Sequence, residues 1–372
     1  MRRVYLDYNA STPIASEVAD AMRPFLTDHY GNPSSHHWAA IPAREAVERA
    51  RAQLARLLGC SSAEIVFTSG GTESNNHAIK GAYFSRRDRG DHIVTTQIEH
   101  PAVIQPCRFL EKLGAKVTYL PVDGTGMVDP DDVGRAITER TILVTVMHAN
   151  NETGTIQPIA EISRVARERD VLFHTDAAQS VGKISAIVAD LGADMLSVAG
   201  HKLYAPKGVG ALYIREGIAL EPFMHGAGHE SGRRAGTENV LLDVALGAAC
   251  ELAQSSIGMP RVRELRDYFW TQLRESFRNR VVLNGHPTER LPNTLNVSFV
   301  GRVGSEILAK LDGIAASTGS ACHEGSVELS PVLKAMGVAP EVGMGAIRFS
   351  LGRSTTKSET DYVMERLNAV IP

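Results

Sequence analysis

An α/β fold with a mostly parallel sheet, followed by a smaller α+β domain, is what this sequence predicts. Three observations carry that prediction. Between residues 63 and 215 short apolar runs alternate with helical patterns, as in a sheet covered by helices. Several of those runs are apolar on consecutive positions, as strands buried on both faces are. Near residues 254–260 the composition shifts.

The elements follow in chain order. Residues 42–58 predict a helix, with Pro42 in its first turn and Gly59 just past its end. Ala43, Val47, Ala50, Leu54 and Leu57 form its apolar stripe. The predicted strands are Ile65-Val66-Phe67, His92-Ile93-Val94, 116–120, 141–147, Val171-Leu172-Phe173, 195–198 and 210–214, with an amphipathic helix over 159–169. An Ala-rich helix over 240–252 leads to Gln254-Ser255-Ser256-Ile257-Gly258-Met259-Pro260, where the first domain ends. A charged helix over 261–278, a strand over 294–299 and a Gly- and Ser-rich loop follow. The last helix is expected to begin at Ser358, with Asp361 three residues on as a variant capping box. The predicted division is 17–257 for the large domain and 1–16 with 258–372 for the small one, in keeping with roughly 150 residues per domain.

Composition narrows the function classes. Lys plus Arg is 39 and Asp plus Glu 42, a net charge of −3, which gives no electrostatic reason to expect nucleic acid or an anionic membrane surface. At 43% hydrophobic and 22% charged residues the chain is neither disordered nor fibrous. No stretch approaches the ~20 apolar residues of a membrane span. Arg2 and Arg3 are not followed by the apolar run of a signal peptide. Four cysteines without C-x-x-C spacing fit a reducing, cytoplasmic compartment.

Chemistry concentrates at strand ends. Ala199-Gly200-His201-Lys202 follows one apolar strand and precedes the glycine-rich turn Lys207-Gly208-Val209-Gly210. Open α/β sheets bind ligands at the carboxyl ends of their strands, although a single lysine there is as readily a solvated surface residue. Phe173-His174-Thr175-Asp176-Ala177-Ala178-Gln179 puts a carboxylate at the end of another buried strand, which is costly without a cation or donors. A protonated pyridinium nitrogen would be such a partner, as in pyridoxal phosphate held on a lysine as a Schiff base. Phe67-Thr68-Ser69-Gly70-Gly71-Thr72-Glu73-Ser74 supplies a strand, two glycines and hydroxyls opening a helix, a place that favours an anion. It is neither a Walker A loop nor a dinucleotide fingerprint.

These segments, together with Ala149-Asn150-Asn151-Glu152-Thr153-Gly154, resemble the class V aminotransferase family, specifically the cysteine desulfurases and the related selenocysteine lyases. The resemblance runs from Tyr5-Leu6-Asp7-Tyr8-Asn9-Ala10-Ser11-Thr12 and Gly31-Asn32-Pro33-Ser34-Ser35 to Arg348-Phe349-Ser350-Leu351-Gly352-Arg353. It implies a fold-type I pyridoxal-phosphate-dependent transferase. By that resemblance Lys202 carries pyridoxal 5'-phosphate, Asp176 holds the ring nitrogen protonated and Gln179 contacts the phenolic oxygen. His100 stacks over the ring, and Gly71, Thr72 and His201 contact the phosphate. Thr237 reaches the phosphate in a neighbouring subunit, which implies a homodimer. Asn151 and Arg348 sit near the substrate carboxylate, where a guanidinium fork pairs naturally. Ala199 departs from the serine common at that position and removes one phosphate hydroxyl contact.

Cys60, Cys107 and Cys250 lie among apolar neighbours and behave as small hydrophobes. Cys322, in Thr318-Gly319-Ser320-Ala321-Cys322-His323, lies in a small-residue loop and resembles the persulfide-carrying nucleophile of the desulfurases. His323 is nearer the Ala-Cys-His of selenocysteine lyases. The 13 histidines show no zinc spacing, so no metal is expected. The resemblance implies conversion of L-cysteine to L-alanine, with the sulfur passed from Cys322 to an acceptor protein. A selenocysteine lyase, a cofactor-free sulfur-relay scaffold and an ordinary transaminase remain as alternatives.

Overall fold

The computed structural model describes residues 2–318, 322–323 and 326–371, with the side chains of 322, 323, 326 and 327 outside that description. Its centre is a seven-stranded sheet in the order Ile65–Thr68, Gly210–Ile214, Met195–Ala199, Leu172–Asp176, Thr141–Thr145, His92–Thr96, Lys116–Leu120. Only Gly210–Ile214 runs against its neighbours. The predicted mostly parallel sheet is therefore what forms. Val66, Ile93, Leu143, Val144 and Leu196 are fully or almost fully buried, as strands covered on both faces require.

One strand is longer than its apolar run. Leu172–Asp176 continues through His174 and Thr175, which periodicity alone would place outside it. The continuation is satisfied sideways: His174 Nδ1 meets Thr145 Oγ1 at 2.8 Å and Nε2 meets Ser197 Oγ at 2.9 Å. A buried polar pair on adjacent strands costs little when each atom has a partner. That extension carries Asp176 to the sheet edge.

The helix Ile41–Leu58 buries the predicted stripe and is closed by Gly59 in the left-handed region at φ 68°. Its buried face also holds Arg51. Both oxygens of Glu230 accept from that guanidinium, at 2.7 and 2.8 Å, and Glu230 Oε2 also accepts from the Phe67 N–H at 2.9 Å. This bidentate pair ties the helix and the edge strand to the turn at Glu230.

A second, four-stranded antiparallel sheet runs Ser317–Thr318, Ala346–Ser350, Thr294–Phe299, Val281–Asn284. The helices Pro260–Phe277 and Lys357–Val370 supply much of its core, with edge-on ring pairs Phe269–Phe349 and Phe277–Phe299. Val4–Tyr5 pairs with Ile314–Ala315, and Asp7 with Ser350, so the N-terminal segment belongs to this sheet's side of the molecule. The last helix does not begin at Ser358. Thr356 caps it, accepting from the Glu359 N–H while the Glu359 carboxylate accepts from the Thr356 N–H. Asp361 instead accepts from Lys357 and Tyr268, one turn in, where it has no cap to serve.

Removing one member of the buried Arg51–Glu230 pair leaves the other charge uncompensated. Arg51→Met is expected to lower unfolding stability by about 3 kcal/mol or more. Urea denaturation measures this, and a loss below about 1 kcal/mol would mean that Glu230 escapes to water.

Candidate active site

The parallel strands deliver their loops to one edge of the sheet. The loop after Ile65–Thr68 brings Gly71 and Thr72, and that after His92–Thr96 brings His100. Beyond Thr141–Thr145 comes Asn151, Leu172–Asp176 ends on Asp176, and His201 and Lys202 follow Met195–Ala199. Arg348 arrives from Ala346–Ser350, one of the two inner strands of the small sheet. With Gln179, Asn9 and Asn75 these residues line a single cavity of about 440 Å³. Nine of the sequence-predicted groups are thus brought together.

Two are not. Thr237 is exposed and lines a separate cavity of about 200 Å³ with Thr68 and Arg234. Cys322 lies on the strand Cys322–His323, paired with Ser326–Val327, and its side chain falls outside the described residues.

Asp176 is buried at the cavity wall. Its Oδ2 accepts from Asn75 Nδ2 at 2.7 Å and its Oδ1 from the Ala178 N–H at 2.9 Å. A carboxylate has about four lone-pair sites, so two remain for a cationic N–H donor. Lys202 Nζ donates to the carbonyls of Asn9, at 2.5 Å, and Ala10, at 2.7 Å. Burial, reinforced by the Arg348 charge, brings its pKa down to about 8 against the opposing pull of Asp7 and Asp176. That is a lysine with a substantial neutral, nucleophilic fraction near neutrality.

His100 caps the helix Pro101–Glu111, its Nδ1 accepting the Ala102 N–H at 3.1 Å. The neutral ring therefore carries its proton on Nε2. Burial holds its pKa below the ordinary histidine value, with Lys202 adding to that and Asp176 opposing it. His201 is likewise pushed down to about 4, by burial and then by Lys202 and Lys207. Both rings are neutral at physiological pH.

Gly71 and Thr72 open the 15-residue helix Gly71–Ser85, so their N–H groups have no carbonyl one turn back. A Cβ on Gly71 would come within 3.2 Å of Ala199 Cβ, and one on Gly210 within 2.7 Å of Gly70 Cα. Glycines at both places let the loop settle on the sheet edge. Arg348 donates to Asp7 Oδ1 at 2.7 Å and to the Asn151 carbonyl at 2.9 Å, while its buried Nε has no partner among the described residues. It is a fixed guanidinium with donor capacity left over.

Asn9, Asn75, Asp7 and Glu99 were not predicted as site residues. Asn75 stands four residues after Gly71, on the same helix face, and that spacing was the available signal. Glu99 is fully buried beside His100. Its Oε1 accepts from Thr96 Oγ1 and the Met147 N–H, and burial, with the nearby Asp176 charge, raises it to about 8. The other thiols are quiet: burial raises Cys60 and Cys107 to about 12 and pushes Cys250 up as well. Among the described residues no three His, Cys, Asp or Glu side chains group as a metal site, and no helix is long and apolar enough to cross a membrane.

An amine and a carboxylate facing one cavity, with an anion-binding helix start beside them, define a pyridoxal-phosphate site. The chain belongs to the class-V aminotransferase family, whose model matches residues 4–363 and whose members use that cofactor. It is similar, more narrowly, to proteins named cysteine desulfurase IscS. The one from Dictyoglomus turgidum is 51% identical, covering all of this chain and 95% of that relative; the one from Methanosarcina thermophila is 47% identical, covering all of this chain and 92% of its length. A solved NifS-like protein superimposes with a TM-score of 0.92 at 37% identity, covering 99% of both chains. A structure described as SspA in complex with cysteine gives 0.84 at 40% identity, over 93% of this chain and 98% of that one.

Two predictions follow from these environments. Glu99 has a folded pKa raised from 4.5 to about 8, so between those values the unfolded chain gives up a proton that the folded chain keeps. Wild-type stability therefore falls as pH rises through that window. Glu99→Gln, which cannot lose a proton, should gain relative to wild type between pH 5 and 8, by up to about 1.4 kcal/mol per pH unit. Thermal melts at a series of pH values measure the gap, and a constant gap refutes the assignment. Separately, apo-protein should take up pyridoxal phosphate, trapped on Lys202 by borohydride, with a rate whose midpoint lies near pH 8 and which levels off above it. A midpoint near the ordinary lysine value of about 10.4 would contradict the depressed amine.

Proposed function

We propose that the protein is a pyridoxal-phosphate-dependent cysteine desulfurase, which converts L-cysteine to L-alanine and carries the sulfur as a persulfide on Cys322. The observation that carries this reading is the shared cavity: Lys202 and Asp176 face it together, between the helix start at Gly71 and the guanidinium of Arg348. The residues present fit the cofactor. Lys202 would hold its aldehyde carbon, Asp176 its ring nitrogen, and Gln179 its phenolic oxygen. His100 would cover its face, and Gly71, Thr72 and His201 would take its phosphate. When bound, the cofactor supplies a sink for the electron pair released at the substrate α-carbon.

The chain's own residues do the rest. Arg348, immobilised by Asp7 and Asn151, binds the substrate carboxylate, with Asn151 beside it. Lys202 Nζ, with its lowered pKa, takes up and returns the α-proton, and the Nε2–H of His100 provides a second proton position in the same cavity. Cys322 thiolate attacks the substrate sulfur: an S–S bond forms, the carbon–sulfur bond breaks, and protonation of the carbon fragment completes alanine. The persulfide then passes to an acceptor protein. Thr237 lies outside its own chain's cavity, which supports its reaching the cofactor site of a partner in a homodimer. The separate hydrophobic cores beside the two sheets, one drawing on Val4, Leu6 and residues beyond 260, support the division into a large lobe, 17–257, and a small lobe, 1–16 with 258–372. The three described thiols are unpaired, which supports a reducing, cytoplasmic setting.

Cys322→Ala is expected to keep the bound cofactor and its visible absorbance while alanine formation from L-cysteine falls on the order of a thousandfold or more. Alanine release and persulfide on Cys322 are measured side by side with L-cysteine and L-selenocysteine. Retained turnover of cysteine in Cys322→Ala removes the persulfide step, and a wild-type protein active on selenocysteine alone would replace the desulfurase with the lyase.

A further inference from the structure

Gln179 has a partner that the reaction above does not use. Lys183, four residues further along the chain, is buried, and its Nζ donates to Gln179 Oε1 at 3.0 Å and to Asn9 Oδ1 at 3.2 Å. Both recorded partners are neutral amide oxygens. Burial, with the Lys202 and Arg348 charges close by, drives this amine well below the ordinary lysine value. With Lys202 it also lines an apolar cavity of about 160 Å³, walled by Leu203, Leu252 and Leu351 and carrying Arg261 and Arg353. A surface lysine would be solvated, whereas this one is spent on holding two amides.

We propose that Lys183 is a positioning residue that fixes which way the Gln179 amide faces, and so presents its N–H to the cofactor's phenolic oxygen. The proposal rests on the reading that Gln179 makes that contact. The geometry allows one orientation only. Gln179 Nε2 donates to the Asn9 carbonyl at 3.0 Å while Oε1 accepts from Lys183. Turning the amide over would set its oxygen against the Asn9 carbonyl, losing that bond, and would give up the acceptor that Lys183 now uses. Pinned at both ends, the amide has one N–H left over, and Gln179 lines the cofactor cavity. The same amine fixes Asn9, whose Oδ1 also accepts from Asn293 Nδ2 at 3.0 Å and whose backbone carbonyl holds Lys202. One nitrogen thus orients the contact to the phenolic oxygen and the carbonyl on which the catalytic amine rests.

The test compares wild type with Lys183→Met, which keeps the stem and removes the donor, and with Lys183→Gln, which keeps a shorter donor. Each is purified with bound pyridoxal phosphate, and its visible absorbance is titrated against pH. Lys183→Met should retain the cofactor but move the titration of the visible band by about one pH unit, the size of one lost hydrogen bond to a charged group. Lys183→Gln should move it less. In a Gln179→Ala background, Lys183→Met should shift the titration less than it does in the wild type, because the part of its effect that passes through Gln179 is already gone. An unmoved titration in both variants, or a shift fully additive with Gln179→Ala, overturns the proposal. Should Lys183→Met fail to fold, the Lys183→Gln titration decides in the same way. A wild-type protein without a visible band overturns the cofactor reading itself, which is a different outcome from a coloured protein whose variants match it.

Discussion

A carboxylate buried at the end of a central strand is the constraint around which this site is arranged. Asp176 gives up most of its water and, among the described residues, receives two donors, the Asn75 amide and the Ala178 N–H. Its field reaches Glu99, Lys202 and His100. It adds to the burial that keeps Glu99 protonated, and it counters part of the burial that depresses Lys202 and His100. The cavity therefore holds one carboxylate able to meet a pyridinium and one amine poised near neutrality, with one acid kept neutral outside its lining. Separating titratable neighbours in this way is how a site runs acid and base chemistry at one pH.

The second requirement is mechanical, because the groups come from elements far apart in sequence. Asn9 makes the junction. Its backbone carbonyl accepts from Lys202 and Gln179, its Oδ1 from Lys183 and Asn293, and its Nδ2 donates to Thr294 and the Asn151 carbonyl. Through one residue of the N-terminal segment, the loops of the large sheet are locked to the strand Thr294–Phe299 of the small one. Next to it, Asp7 does the same for Arg348, whose strand pairs with Ser317–Thr318 at the start of the segment that leads to Cys322. The distance from the guanidinium to the cofactor groups is thus set by hydrogen bonds at residues 7–9.

Much of this was legible in the sequence. Apolar runs marked the parallel strands because both faces are covered, and the groups at their ends could be named because such sheets gather ligands there. What stayed hidden depends on partners distant along the chain. The strand to Asp176 outruns its apolar stretch because His174 finds hydroxyls on both neighbouring strands, which no local pattern reveals. Asn9 and Lys183 look like ordinary surface-type residues until the fold closes over them. The helix start near residue 357 was misplaced by two positions because Ser358 with Asp361 mimics the spacing that Thr356 with Glu359 fulfils. Both pairs are compatible with the motif, and backbone geometry chooses between them.

Lys183 and Lys202 show how one cavity gives two identical side chains different tasks. Both are buried and both are pushed toward the neutral amine. Lys183 is gripped by two side-chain amides, each held in turn by further hydrogen bonds, so moving it would unfasten Gln179 and Asn9 together. Lys202 rests on two backbone carbonyls of a loop, and both carbonyls remain in place when it leaves. Lys202 also feels the opposing attraction of Asp7 and Asp176, which returns its pKa toward neutrality, whereas only repulsion from Lys202 and Arg348 is added to the burial of Lys183. An amine that must alternate between free and bound forms needs the first environment's opposite: partners that are anchored without it and a pKa within reach of the medium. Tether and field, more than residue type, decide which lysine reacts.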